Sequence, residues 1–199
     1  MELLTTIALR QSVRRFAPGS VPLHICAELL AAAVLAPSPH GRQPWQFIVL
    51  ESSAARETLI SAMAVEWRQQ LAQDSIDVAH INARVEASTQ RIRSAPLLIM
   101  PCVDCAVLDA YPDNHRHHAE YLMAVQSIGC AIQNMLLRAV DLGYDAGWMC
   151  APLFCPEHVQ TALTLPKTTI PQALITVGIA HTQPKRRSKR DHTKLTQYR

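Results

Sequence analysis

The sequence is poor in glycine and in aromatic residues, with six glycines and 5% Phe, Trp and Tyr in 199 residues. So little glycine excludes collagen-like repeats and glycine-rich linkers. No glycines fall in the G-x-G-x-x-G spacing that opens a resident dinucleotide-binding domain. Long hydrophobic runs are missing too. The richest stretch, Leu122 to Leu142, is interrupted by Gln126, Ser127, Gln133, Asn134, Arg138 and Asp141, short of the roughly 18 apolar residues of a membrane span. The opening MELLTTIALRQSVRR puts its charges after its apolar residues and has no small-residue cleavage site, which argues against a secretory leader and for a cytoplasmic location. In such a chain the six cysteines read as buried thiols rather than a disulfide framework.

What is there is a core. With 49% hydrophobic and 18% charged residues, the chain reads as one domain, 1–199, large enough to need no disulfide or metal staple. The net charge of +3 is uneven, because residues 185–199 carry seven Lys and Arg against one Asp and the rest is slightly acidic. A basic tail of this kind suits a phosphate, a nucleic acid, an acidic surface or water.

Apolar spacing predicts a short helix over Leu3–Arg10 and a second from Pro22 to about Ala36, ended by Pro37-Ser38-Pro39. Trp45–Leu50 reads as a strand, Ser53 as the N-cap of a helix to about Ala72, and His80–Arg93 as a polar helix. Leu97–Val103 reads as a buried strand whose Pro101 calls for an edge or bulge. Ala119–Leu142 is apolar on most of its circumference, a central helix surrounded by protein, with Gly143 at its C-terminal cap and Gly129, Cys130 and Ala131 small enough to admit another helix. A strand at Ala146–Cys150, a helix from Pro156 to Leu163 and a last strand at Ala173–Ala180 complete an α+β fold of four or five strands.

Two basic clusters lie at opposite ends of the chain: Arg10, Ser12, Arg14 and Arg15, and Lys185, Arg186 and Arg187. If they meet in space, their forked guanidinium groups and hydroxyl suit a phosphorylated cofactor. Between them runs Ala36-Pro37-Ser38-Pro39-His40-Gly41-Arg42-Gln43-Pro44-Trp45-Gln46-Phe47, dense in donors and restricted backbone.

This loop resembles the "APS–x–x–N–x–QPW–x–F" signature of the FMN-dependent nitroreductase-like flavoproteins, nearest the branch that holds the flavin domain of the coenzyme F420 biosynthetic ligase. RQSVRRF at the start, Ala119-Glu120 through Gly143 and Gly147-Trp148, and Gly178-Ile179-Ala180-His181 with Pro184-Lys185-Arg186-Arg187 are similar to the family's other motifs, in the same order. The resemblance implies a homodimer with a central mixed, mostly antiparallel sheet flanked by helices, and FMN as cofactor. By position, Arg10, Gln11, Ser12 and Arg14 would contact the phosphate and ribityl chain, with Lys185 and Arg187 closing from the tail. Pro37, Ser38, Pro39, His40 and Gln43 would border the flavin ring of the other subunit. Trp148, Met149, Cys150 and Ala151 would line its opposite edge and offer a backbone N–H near N5. The implied activity is reduction of a nitro, quinone or similar acceptor by NAD(P)H in a ping-pong hydride transfer through N5, with no catalytic acid, base or nucleophile.

Gly41 stands where that branch has Asn, and Cys150-Ala151 replaces Gly-Ser, so substrate preference does not carry over. Cys102-x-x-Cys105 with His115, His117 and His118 superficially matches zinc-ligand spacing, but a thiol at the end of a buried strand packs as a small apolar group, and no metal is expected. Two other readings stay open: a flavin- or F420-binding accessory protein without turnover, and a nucleic-acid module using the tail.

Overall fold

The computed structural model describes residues 1–74, 76–186 and 188–199. Its elements are α1 (Leu3–Leu9), α2 (Leu23–Ala33), β1 (Trp45–Val49), α3 (Ser53–Gln73), α4 (Val78–Arg93), β2 (Leu97–Asp104), α5 (Asn114–Asp141), β3 (Asp145–Met149), α6 (Pro156–Ala162), β4 (Thr169–Pro171) and β5 (Leu174–Gly178). The expected order is present with one addition, β4, whose three residues are too short to show a pattern. Pro22 is the N-cap of α2 rather than its first residue, and that helix stops at Ala33, three residues early. Ser52, not Ser53, caps α3, its hydroxyl accepting from the Ala55 N–H at 3.1 Å. The central helix α5 starts at Asn114 rather than Ala119. The Asp113 carboxylate accepts from the Arg116 N–H at 2.9 Å, and the exposed polar turn it caps carries no apolar periodicity. At its other end Gly143 (φ 81°) donates to Val140 O at 3.0 Å and Tyr144 to Ala139 O at 2.8 Å, the paired bonds of a Schellman cap.

The strands run in the order β1-β2-β5-β3, with β4 pairing β2 beyond the end of β5, and every pair is antiparallel. The one parallel contact among the described residues is a bridge from Ser12 to Ala146. Pro101 lies on a central strand, not an edge. The bonds Leu50 N–H to Leu98 O and Asp104 N–H to Pro44 O fix the even-numbered residues of β2 as those bonded to β1. The missing N–H of Pro101 therefore faces the junction where β4 hands over to β5, and its carbonyl accepts from Gln172 N–H at 2.9 Å.

Alternate residues of β2 serve two cores, which is why its sequence is a continuous apolar run. Leu97, Ile99 and Val103 pack with α2 and α5, whereas Leu98, Met100 and Cys102 pack with α3 and α6. Along α5, Ala124, Ile128, Ala131, Ile132, Met135 and Leu136 are buried. The opposite strip, with Leu122 and Cys130, is exposed in the single chain, and apart from the adjacent backbone of α5 itself nothing among the described residues lies within 4 Å of where a Cβ on Gly129 would be. The helix is thus covered on one side only by its own chain.

Candidate functional site

The two ends of the chain meet on the edge strand β3. After α1 the backbone turns so that Val13 N–H donates to Ala146 O at 2.9 Å, and Val13 is buried. Only glycine at 147 permits this approach, because a Cβ there would stand 2.3 Å from Val13 O. Further along, Ala17 N–H donates to Ile179 O at 2.8 Å and His181 N–H to Arg15 O at 3.1 Å, lacing the same segment to the exit of β5. The tail then folds back over α1. Arg186 donates to Ala8 O at 2.6 Å and Leu9 O at 3.2 Å, and Gln11 donates to Gln183 Oε1 at 2.6 Å. Asp145 holds the turn, accepting from Ala180 N–H at 2.9 Å and from the Gln183 amide at 3.1 and 3.2 Å.

Arg10, Gln11, Ser12 and Arg14 are in this way gathered beside the tail, with Ser12 and Arg14 exposed and Arg10 and Gln11 half-buried. Lys185 is exposed within the returning tail; Arg187 lies outside the described residues. Arg186 is the tail residue that makes the clasp, and Asp145 and Gln183 complete it. Arg186 belongs to the basic cluster read from sequence, though not as a cofactor contact; Asp145 and Gln183 were not singled out, since nothing local distinguishes a surface Asp or Gln whose partner lies more than thirty residues away.

Trp148 and Met149 finish β3, and Cys150 leads into a 3-10 turn over Ala151–Phe154. From Ala146 to Cys150 the strand spans about 13 Å at its usual rise. One edge therefore presents donors and cations at one end and the Cys150-Ala151 backbone at the other. The Trp148 indole N–H is buried and has no partner among the described residues.

The loop of Pro37, Ser38, Pro39, His40 and Gln43 is not part of this assembly. It precedes β1, at the opposite edge of the sheet, three interstrand spacings or about 14 Å from β3. Its backbone is held in left-handed conformations at His40 (φ 54°), Gly41 (φ 64°) and Gln43 (φ 49°). The Ser38 hydroxyl accepts from Gln43 N–H at 3.1 Å and Arg42 pairs with Asp109.

The cysteines and histidines of the zinc-like spacing do not converge. Cys102 is fully buried in β2 and burial pushes its thiol up to about 12, whereas His115, His117 and His118 are exposed on the first turns of α5. Cys105 is also raised, by burial and then by Asp104. Cys150 is exposed, and a cavity of about 470 Å³ between α3, α4 and the 151–154 turn is lined by it together with Trp67, Phe154 and Cys155.

A five-stranded antiparallel sheet between helical layers, with both chain ends clasped on an edge strand, places the molecule among the α+β proteins. The chain belongs to the nitroreductase family, whose family model matches residues 7–179. It is 27% identical over 182 residues to a 5,6-dimethylbenzimidazole synthase of Rhodospirillum rubrum, covering 85% of this chain and 77% of that protein. It is also 27% identical over 186 residues, 92% of this chain and 80% of the other, to a Methanothermobacter thermautotrophicus protein provisionally named NADH dehydrogenase/NAD(P)H nitroreductase. In fold it matches a BluB-like flavoprotein of Clostridium difficile with a TM-score of 0.79 at 23% identity, covering 100% and 99% of the two chains. A provisionally named nitroreductase of Desulfovibrio desulfuricans, crystallised with FMN, matches with a TM-score of 0.76 at 22% identity over 100% and 97%. No helix among the described residues is long and apolar enough to cross a membrane.

Proposed function

We propose that the protein is an FMN-dependent oxidoreductase that takes electrons from NAD(P)H and reduces an electron-poor organic acceptor, working as a homodimer with two shared sites. The observation that carries this reading is the convergence of residues 10–14 with the C-terminal tail along β3. Arg10, Arg14 and Lys185 supply positive charge for a phosphate, and Ser12 and Gln11 supply donors for the phosphate and ribityl chain. Beyond them, the backbone at Cys150 and Ala151 orients the ring edge. When bound, FMN supplies a two-electron centre that accepts a hydride at N5 and passes one on, so the chain needs no acid, base or nucleophile of its own.

Two features support a second copy of the chain. The His40 loop lies at the far edge of the sheet from β3, so it reaches a ring there only from another subunit. The outward faces of the helices around α5 are apolar: Leu3 and Leu4 of α1, Leu23 of α2 and Leu122 are all exposed. Steady-state oxidation of NADH and NADPH with a nitroaromatic or a quinone tests the reading; turnover with either donor supports it, and none with any acceptor refutes it. The likeness to a 5,6-dimethylbenzimidazole synthase favours one alternative, a flavin- or F420-binding role in cofactor biosynthesis. In that case flavin binds but acceptor-dependent NAD(P)H oxidation is absent.

A further inference from the structure

Glu120, on the second turn of α5, is 1% exposed, and neither carboxylate oxygen has a hydrogen-bond partner among the described residues. A carboxylate so placed loses its hydration without replacement, the costliest state for a charged group in a folded chain. It is not alone. One ring nitrogen of His40 and a carboxylate oxygen of Asp109 lie with it so that all three atoms are within 4.8 Å of one another. Atoms bound to one ion at about 2.1 Å stand at most about 4.2 Å apart, so small side-chain adjustments convert this arrangement into a coordination shell. His40 is on an exposed loop and Asp109 on the connection between β2 and α5, so both have freedom to make them. Arg42 is paired with Asp109 Oδ1, so of the two carboxyl groups only that of Glu120 is left without a cationic or hydrogen-bonding partner among the described residues.

We infer that His40, Asp109 and Glu120 form a binding site for a divalent transition-metal ion of the zinc type. One imidazole with two carboxylates is a mixed nitrogen and oxygen set that suits such an ion, whereas calcium and magnesium prefer oxygen alone. The ion would tie the strained loop through His40 to the buried start of α5. It thereby fixes a segment in which His40 and Gln43, both non-glycine, hold positive φ angles. This departs from the expectation of a metal-free chain, which weighed only the Cys102, Cys105 and histidine spacing. His40 also belongs to the loop proposed to border the flavin ring of the other subunit, but zinc binding is read directly on the protein and does not depend on that assignment.

The test is zinc binding to the full-length protein, stripped by chelator and titrated calorimetrically, together with X-ray absorption of the loaded protein. The expected result is one zinc per chain in a first shell of nitrogen and oxygen without sulfur, retained in Cys102→Ser/Cys105→Ser and weakened at least tenfold in both His40→Ala and Glu120→Gln. Affinity in His40→Ala within twofold of the parent, sulfur in the shell, or no binding at millimolar zinc would overturn the proposal. Should Glu120→Gln fail to fold, His40→Ala decides together with the absorption spectrum, because His40 is exposed and outside the core.

Discussion

Gly147→Ala puts a single methyl group where the chain ends cross β3. Its Cβ would lie 2.3 Å from Val13 O and 2.8 Å from Thr176 Oγ1, so the 10–14 segment must retreat by about 1 Å to reach ordinary contact. Overpacking of this kind costs about 1–3 kcal/mol. The Val13 N–H to Ala146 O bond, 2.9 Å in the parent, is lost in the retreat and adds about 1 kcal/mol. The sum of about 2–4 kcal/mol corresponds, at about 2–4 °C per kcal/mol for a chain of this size, to a melting temperature lower by roughly 5–15 °C. Because the displaced segment carries Arg10, Gln11, Ser12 and Arg14, FMN affinity should fall about tenfold or more. Thermal melting and quenching of FMN fluorescence measure the two effects. Gly129→Ala is the comparison within one chain: nothing beyond its own helix backbone lies within 4 Å of its added Cβ, and alanine is favoured over glycine in a helix by about 1 kcal/mol, so under conditions where the protein is monomeric its melting temperature should hold or rise. Gly178→Ala, whose Cβ would meet Pro96 Cγ at 2.7 Å and Phe16 Cδ1 at 2.9 Å, should lower stability with a smaller loss of FMN affinity. A Gly147→Ala protein that melts within 2 °C of the parent and binds FMN as tightly would refute the seating of residues 10–14 on β3.

Arg10→Ala should remove a charge-assisted hydrogen bond to the phosphate and weaken FMN about ten- to a hundredfold, while riboflavin, which lacks the phosphate, binds parent and variant alike. Arg186→Ala frees the tail from Ala8 O and Leu9 O; limited proteolysis should then cut after Pro184 faster, with FMN weakened several-fold. Burial holds the thiols of Cys102 and Cys155 up at about 12 and about 11 from an ordinary 9.0, so at pH 8 both should resist a thiol reagent until the chain unfolds, whereas exposed Cys150 reacts at once and is protected by added FMN. These raised values have a thermodynamic sign: above pH 9 the unfolded thiols ionise and the folded ones do not, so urea stability should fall progressively from about pH 9 toward 11–12. Gly129→Arg places a charged side chain on the open strip of α5, and light scattering should report a monomer for the variant against the dimer proposed for the parent.

The long, strongly patterned elements were legible in the sequence for a physical reason. A strand buried on both faces, as β2 is, leaves an unbroken apolar run, and α5 leaves small and branched residues at helical spacing. Boundaries set by side-chain caps were read less well. Ser52 and Ser53 differ only in which hydroxyl meets Ala55 N–H, and the first turn of α5 is polar and exposed, so its start rests on Asp113 alone. At the site, the family motifs singled out Arg10, Gln11, Ser12 and Arg14, and the fold brings them to the tail. Of the groups that hold tail and segment together, Arg186 lay in a visible basic cluster, whereas Asp145 and Gln183 have no local signature, because each acts through a partner distant in sequence. Glu120 with His40 and Asp109 was hidden for the same reason: eighty residues separate the loop from the helix, and only the packing of the loop against α5 joins them.

The most direct measurement is the visible spectrum of the purified protein combined with light scattering and chromatography of the cofactor released on denaturation. Shared sites built from residues 10–14 of one chain and the His40 loop of another require a yellow dimer that releases FMN at one equivalent per chain. A colourless protein that takes up no added FMN would contradict the cofactor assignment, and a monomer holding one equivalent of FMN would contradict the shared site.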